Sequence, residues 1–311
     1  MPPGQPADDL LVRIHAGPPL RLDIFLHRQF PAVSRRRWQA TMASGSILVN
    51  DRPGCKGTLV AAGDRVCLPA RLPAALAPGP PAADPAVTVT VIHEDEELVV
   101  VAKPAGQHTH PLDKNETGTL ANGLLARWPA LAGIGFSPLQ PGLLNRLDRD
   151  TSGLVLAART LAAWEKYRRL LAAGQVVKIY LGVVHGRLPA PLTVDRPLIH
   201  APGRPSMMTT DIPKNFTGRR LPALTLIEPL ETAADTTSVR LTMRTGVTHQ
   251  LRVHCAASGH PLVGDRLYGR PETAAADRRA GRLLLHAWRL RLPDGREFTC
   301  PPPWSPGNEA P

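Results

Sequence analysis

The sequence lacks long apolar runs, and this absence sets the first limit on its class. None of its runs approaches the roughly eighteen consecutive apolar residues that a membrane-spanning helix needs, so we expect no membrane association. The opening segment MPPGQPADDL also lacks the basic stretch and apolar core of a secretory signal. We therefore expect a cytoplasmic protein, and its 311 residues are enough to bury cores in two domains.

Cysteines are few, and recognised cofactor and nucleophile motifs are missing. The four cysteines form no CxxC pair, so we expect reduced, mostly packed thiols rather than a zinc ribbon or a redox centre. There is no GxGxxG or GxxxxGK[ST] loop to hold a nucleotide and no GxSxG serine. His249 and His254 are five residues apart, which is not the i, i+4 spacing of helical metal ligands. We expect neither a metal nor a cofactor.

Positive charge, by contrast, is abundant and is mostly arginine. Lysine and arginine total 37 against 26 acidic residues, a net charge of +11, and only six of the cations are lysine. Such a field suits a polyanion such as RNA. GC-rich coding sequence produces the same arginine, alanine and proline bias. Only the placement of the charges can therefore indicate whether the protein binds RNA.

A proline- and alanine-rich stretch divides the chain. Residues 69–86 show neither strand nor helix periodicity and are typical of a semi-rigid linker. We expect an N-terminal tail at 1–19, a small domain at 20–68 and a large domain at 87–311. Both domains mix helices with strands, so the predicted fold class is α+β, with more strand than helix.

Three consecutive arginines stand out in the small domain. The spacing of Leu22, Phe25 and Leu26 predicts one helix, and a second is expected from the capping residue Ser34 to Gly45. Arginines in its first turn, at 35–37, oppose the helix dipole. A phosphate bound at that helix end would explain them, and a solvated basic turn is the alternative.

The order of these small-domain segments carries a resemblance. RLDIFL, SRRRWQATMASGSILVND and AAGDRV together resemble the small S4-type RNA-binding domain. The resemblance implies that Arg35, Arg36 and Arg37 lie against an RNA backbone.

The large domain shows clear secondary-structure patterns. VTVTVI and LVVVAKP predict a hairpin, and Thr160 to Leu171 predicts a helix that buries Leu161, Trp164 and Leu171. VVKIYLGVV predicts a strand with Tyr180 directed away from its more apolar face. THQLRVHCAASG predicts a short helix capped by Thr248.

Two segments of the large domain could carry chemistry. The loop from Asn145 to Gly153 holds two carboxylates and two arginines, although Asp-Arg-Asp-Thr-Ser-Gly is also ordinary turn chemistry. On the later helix, His249 and Arg252 share one face because they are three residues apart.

Five ordered blocks of the large domain carry a much stronger resemblance. HEDEELVVVAKPAG, NRLDRDTSGL, VKIYLGVVHG, RTGVTHQLRVHCAASGHPLVGDRLYG and LLLHAWRL are similar to the RluA-type pseudouridine synthases over residues 88 to 292. The resemblance implies a mixed, mainly antiparallel sheet and the isomerisation of uridine in RNA after base flipping, without metal or cofactor. An N-terminal S4-type domain points to large-subunit ribosomal RNA, with transfer RNA as the alternative substrate.

The resemblance also implies roles for individual residues. Catalysis would fall to Asp148 as the essential carboxylate, Tyr180 as the stacking partner of uracil and Arg252 as the partner of Asp148. Substrate binding would fall to Arg146, Asn145, His249 and Leu285, or to Leu284 if the register differs by one. The family usually has histidine before RLD and a polar residue after RTG, where this chain has Asn145 and Val247. The alternative is therefore a non-catalytic RNA-binding or ribosome-assembly protein. In either case we expect a monomer.

Overall fold

The computed structural model describes residues 10–30, 35–69, 79–135 and 137–304. The chain divides into two compact units, one of residues 1–79 with 136–138 and one of residues 80–135 with 139–311. Within the described ranges no helix is long and apolar enough to cross a membrane.

The first unit packs two helices against a small antiparallel sheet. Its elements, in chain order, are β1 (Leu10–Ile14), β2 (Leu20–Arg21), α1 (Leu22–Gln29), α2 (Arg35–Ala43), β3 (Leu48–Val49), β4 (Arg52–Pro53), β5 (Leu59–Val60) and β6 (Arg65–Pro69). The sheet has the order β1-β6-β3-β4, and β2 pairs with β5. Leu22, Phe25 and Leu26 of α1 join Trp38 of α2 in the core, as the helical spacing predicts.

The N-terminal tail expected at 1–19 is wrong for Leu10–Ile14. These residues form β1 and pair with the whole of β6, because the backbone N–H and C=O groups of both strands find their partners in this antiparallel register. The bounds of α2 agree with the predicted second helix, although its expected cap Ser34 lies outside the described residues.

The second unit is built on one large mixed sheet. Its helices and strands are β7 (Thr90–Glu94), β8 (Leu98–Lys103), α3 (Leu120–Arg127), β9 (Ser152–Ala158), α4 (Leu161–Ala172), β10 (Val177–His185), β11 (Leu192–Asp195), β12 (Ile199–Ala201), β13 (Arg204–Thr209), β14 (Leu224–Thr232), β15 (Thr236–Met243), α5 (Gln250–Ala257), α6 (Ala274–Ala280), β16 (Leu285–Arg291) and β17 (Glu297–Thr299). The sheet has the order β11-β14-β15-β10-β16-β9-β8-β7, and β17 pairs with β16. Among the strand pairs of the described ranges, only β9 and β16 run parallel. The α+β class and the mainly antiparallel sheet are as expected.

Both faces of this sheet are covered, which explains the continuous apolar run of β8. Val99 and Val101 belong to the core beneath α3 and α5, whereas Leu98 and Val100 belong to the core beneath α4. A strand that is buried on both faces has no polar alternation. Tyr180 accordingly lies in the larger core and is 4% exposed, although its strand face was predicted to be the less apolar one.

The predicted helix after Thr160 forms as α4, with the Thr160 side chain as its N-cap. Trp164 and Leu171 pack against the cores as predicted, and only Leu161 departs from the predicted buried face. Leu161 is 54% exposed, and Ala163 and Tyr167, which are four residues apart, contact the sheet instead. Leu161 occupies the first turn on the solvent side.

Part of the stretch predicted as linker packs on the second unit. Ala82 N–H donates to Lys114 O, and Asn122 Nδ2 donates to Ala82 O. Residues 70–78 of that stretch lie outside the described residues.

The parallel pair of β9 and β16 brings three distant segments together. Gly153 has φ 114°, and a Cβ there would lie 2.3 Å from Ala287 O, so only glycine allows this approach. Ala287 is also the partner of Tyr180 on β10. The loop before Gly153, the start of β16 and Tyr180 therefore meet at one point.

Candidate active site

The loop before β9 is held by the segment that follows β8. Thr109 Oγ1 donates to Leu147 O at 2.8 Å and accepts from Leu147 N at 3.1 Å. Gly106 N donates to Arg149 O, and Arg149 Nε donates to Gly106 O. Asp148 lies between these two clamped residues, so its backbone is fixed on both sides.

Lys103 strengthens the same clamp from inside the protein. It is 1% exposed, and its ammonium donates to the carbonyls of Pro104, Gln107 and Arg149 at 2.8, 2.8 and 3.1 Å. Burial lowers the pKa of Lys103 to about 7, while the charges of Asp148 and Asp150 act in the opposite direction. Three carbonyl acceptors use all three ammonium protons, which is a geometry that favours the charged form.

Asn145 ties the start of the loop to β9. Its Nδ2 donates to Leu154 O at 3.3 Å, and its Oδ1 accepts from Leu156 N at 2.7 Å. The side-chain amide thus pairs with the strand as a backbone amide would. Asn145 also lines the pocket beside Asp148.

The carboxylate of Asp148 is one end of a buried ionic chain. Arg252 Nη1 donates to Asp148 Oδ2 at 3.2 Å. The other edge of the same guanidinium forms a two-point contact with Asp265, at 2.8 Å from Nε and 2.7 Å from Nη2. The Asp265 side chain is fully buried and that of Arg252 nearly so. Asp265 therefore fixes the guanidinium that reaches Asp148.

The pKa values in this chain follow from burial and charge. Burial opposes the charge on Arg252, but the hydrogen bonds to Asp265 and the charge of Asp148 outweigh it, so the pKa of the guanidinium is raised. Burial raises the pKa of Tyr180, and the charge of Asp148 adds to the effect. The phenol of Tyr180 is thus protonated at neutral pH.

His249 lies beside Arg252, as the three-residue spacing predicted. Its Nε2 is 3.8 Å from Asp148 Oδ2. The residue precedes α5 with φ 58°, and the predicted cap Thr248 is wrong, because the helix has no side-chain cap. The Thr248 hydroxyl instead accepts a hydrogen bond from Arg146 Nη2 at 2.8 Å.

A pocket opens on this carboxylate. It consists of a chamber of about 270 Å³ and a smaller one of about 50 Å³, and both are lined by Arg146, Asp148, Tyr180 and Val247. Leu285 lines the smaller chamber, whereas Leu284 packs in a separate cluster with Val263 and Trp304. The register that places Leu285 at the site is therefore the correct one.

Most of the residues expected at the site lie together. The structure gathers Asp148, Tyr180, Arg252, Arg146, Asn145, His249 and Leu285 around the two chambers. It describes the backbone of Arg35, Arg36 and Arg37 within α2, but their side chains lie outside the described part. Within the described ranges, no three His, Cys, Asp or Glu residues are grouped as a metal site would require.

Sequence reasoning missed three residues that shape the site, namely Asp265, Lys103 and Lys178. Lys178 lines the larger chamber, is 6% exposed and donates to Thr245 O at 2.6 Å. The sequence does contain a signal for the two lysines. Each interrupts an apolar strand, where a buried charge requires a partner. No local pattern marks Asp265 as the partner of Arg252.

The chain is similar to known RNA pseudouridine synthases in both sequence and fold. Residues 97–257 match the family model described as RNA pseudouridylate synthase. The chain is 34% identical over 280 residues to ribosomal large subunit pseudouridine synthase D of Neisseria meningitidis serogroup B, covering 87% of this chain and 71% of the relative. It is 33% identical to the protein of the same name from Escherichia coli K12, covering 88% and 82%. The solved human RNA pseudouridylate synthase domain containing 1 has a TM-score of 0.57 at 29% identity, covering 71% of this chain and 86% of that one.

Removing the charge of Asp265 tests the buried ionic chain. We expect Asp265→Asn to lower the free energy of unfolding by about 3 kcal/mol or more, because it leaves a buried guanidinium without its main partner. Urea denaturation measures the loss. Glu228→Gln is the matched control, since Arg240 contacts Glu228 by the same two-point geometry in a half-exposed setting. Its loss should stay below about 1 kcal/mol, and equal losses in both variants would contradict the prediction.

Proposed function

Because the chain belongs to the RNA pseudouridylate synthase family, we propose that it isomerises uridine to pseudouridine in large-subunit ribosomal RNA. The family supplies the reaction, and the names of the relatives point to this RNA. The observation that carries the proposal is the Asp148 carboxylate, which is held by Arg252 at the edge of a pocket that Tyr180 also lines.

The contacts of Asp148 distinguish its two oxygens. Arg252 and His249 both lie on the Oδ2 side, and within the described ranges Oδ1 has no partner. We assign Oδ1 to the ribose C1′, where it acts as a nucleophile or as an electrostatic partner while the bond from C1′ to uracil N1 breaks. Arg252 binds the opposite oxygen, Oδ2, and so orients the carboxylate for this step.

Tyr180 and Leu285 form the walls for the flipped base. An aromatic ring next to the carboxylate provides a surface on which uracil can stack, and Leu285 closes the small chamber with apolar contact. The raised pKa of Tyr180 favours stacking over proton removal in the free protein. Arg146 is exposed at the rim of the pocket and oriented by Thr248. Its guanidinium can therefore enter the space in the RNA that the flipped base leaves.

The central test uses RNA labelled with tritium at uracil C5. We expect the wild-type protein to release tritium from unmodified ribosomal RNA, and Asp148→Asn to release none while binding RNA with nearly unchanged affinity. The substitution removes the reactive carboxylate and preserves its shape. A transfer RNA pool tested in parallel identifies the substrate class. Turnover by the Asp148→Asn variant at the wild-type rate would refute the role of Asp148.

Lys178 supplies a further contact for the substrate. Within the described ranges its ammonium has one hydrogen-bond acceptor and no carboxylate within ion-pair distance, so it is a buried charge without a counterion. Burial lowers the pKa of Lys178 to about 8, which still leaves it cationic at neutral pH. Arg146 and Arg168 line the same chamber. We infer that a phosphate next to the target uridine binds here.

Lys178→Met tests this contact. The slope of log affinity against log salt concentration should fall by about one unit, since one phosphate contact is lost. The free energy of unfolding should stay the same or increase, because an apolar side chain replaces an unpaired buried charge. Filter binding at several salt concentrations measures the slope. Lys166→Met is the control, because Lys166 is half-exposed and paired with Glu97. The same slope in both variants would exclude the phosphate contact.

We also propose that the first unit is an S4-type RNA-binding domain. The domain would span residues 20–68, extended by β1, with a linker at 69–86 and a catalytic domain at 87–311. The succession of two helices, short strands and the turn at Gly63 and Asp64 supports this proposal. The arginines at 35–37 would then contact the RNA backbone.

Replacing Arg35, Arg36 and Arg37 together by alanine tests the first unit. We expect weaker RNA binding and a smaller salt slope, by roughly one unit for each lost phosphate contact. Tritium release at saturating RNA should change little, because these residues belong to the other unit. An unchanged slope in filter binding would mean that the arginines only contact water.

A further inference from the structure

The hydrogen bonds around Tyr268 determine which nitrogen of His249 carries the proton. Met208 N–H donates to Tyr268 Oη at 2.9 Å. A backbone amide can only donate, so the phenol oxygen is the acceptor in this bond. Burial raises the pKa of Tyr268, and the phenol therefore keeps its single proton.

That proton has one acceptor. His249 Nδ1 lies 2.8 Å from Tyr268 Oη, and the described residues offer the phenol no other acceptor. We therefore assign Tyr268 as the donor to Nδ1 and Nδ1 as the unprotonated ring nitrogen. Burial lowers the pKa of His249 and keeps the ring neutral, so its one proton is on Nε2.

The protonated nitrogen faces the reactive carboxylate. His249 Nε2 is 3.8 Å from Asp148 Oδ2, which is beyond a hydrogen bond in the free protein. Catalytic contacts of this kind often shorten when substrate binds. His249 also has φ 58°, a strained backbone for a residue with a side chain, and such strain concentrates at functional sites.

Asp265 holds Tyr268 in place as well as Arg252. Its Oδ1 accepts from the backbone N–H groups of Leu267 and Tyr268 at 2.9 and 3.1 Å. The turn from Asp265 to Tyr268 thus positions both groups on the Oδ2 side of Asp148. Arg252 is held by the carboxylate of Asp265, and His249 is held by the phenol of Tyr268.

We propose that Tyr268 is a positioning residue that fixes His249 as an Nε2–H donor to Asp148 Oδ2. This inference rests on the proposed function, because it deepens the role of Asp148 in that reaction. Once substrate binding shortens this contact, two donors on Oδ2 prevent the carboxylate from rotating, and Oδ1 remains directed at the ribose. Without the Tyr268 hydroxyl, the His249 ring can carry its proton on Nδ1 and turn a lone pair towards the carboxylate.

Nitrogen NMR of the full-length protein labelled with ¹⁵N-histidine tests the tautomer without RNA. The His249 signal, assigned by its loss in His249→Gln, should show protonated Nε2 and unprotonated Nδ1. In Tyr268→Phe the Nδ1 signal should move towards the protonated form. A wild-type ring protonated on Nδ1 would overturn the proposal. This measurement needs no turnover, so its result can be interpreted even if the protein does not isomerise uridine.

Kinetics test the consequence for catalysis. Tyr268→Phe should lower kcat for tritium release about tenfold and leave KM for RNA within about twofold, as expected for loss of a group that orients a catalytic residue. In the His249→Gln background, Tyr268→Phe should have no further effect, because the glutamine amide has no tautomer to fix. Tyr167→Phe is the control, since it removes a hydrogen-bonded phenol that bonds to Glu97 and lines neither chamber. Independent, multiplicative effects of Tyr268→Phe and His249→Gln would overturn the proposal.

Discussion

The buried pair between Arg252 and Asp265 is the interaction on which the site depends. A guanidinium inside a protein is stable only when a counterion balances its charge and acceptors bind its N–H groups. The Asp265 carboxylate does both along one edge of Arg252. The remaining donor is thereby directed at Asp148. Because Asp148 is partly exposed while Asp265 is fully buried, the charge that holds the arginine is separate from the charge that meets the substrate.

The loop that carries Asp148 is likewise held by residues that lie outside the pocket or beside it. Thr109 and Lys103 bind its backbone from the segment after β8, and Asn145 binds β9 from inside the loop. A carboxylate on a free loop would have to be ordered when RNA binds. In this protein the order is already present without RNA, so RNA binding does not have to supply it.

The departures from the family pattern are explained by local contacts. Asn145 uses its amide to pair with a strand, which requires hydrogen bonding but no titration. Val247 packs with the cluster of Leu198, Met208 and Val253 and forms part of the pocket wall. Neither residue takes the place of Asp148 or Arg252, so these departures alter the surroundings of the Asp148 carboxylate and leave its contact with Arg252 intact.

The sequence by itself determined the class of fold and most elements, and it pointed to the residues that we propose as reactive groups. Strand and helix periodicity marks β10 and α4, and the loop and helix motifs mark Asp148 and Arg252, because these signals depend on neighbouring residues in the chain. Only the tertiary structure decided that Asp265 holds Arg252 and that Leu285 rather than Leu284 faces the pocket. It also decided that Thr248 binds Arg146 instead of capping α5. These contacts join residues far apart in sequence, and their geometry depends on how β9, β10 and β16 pair.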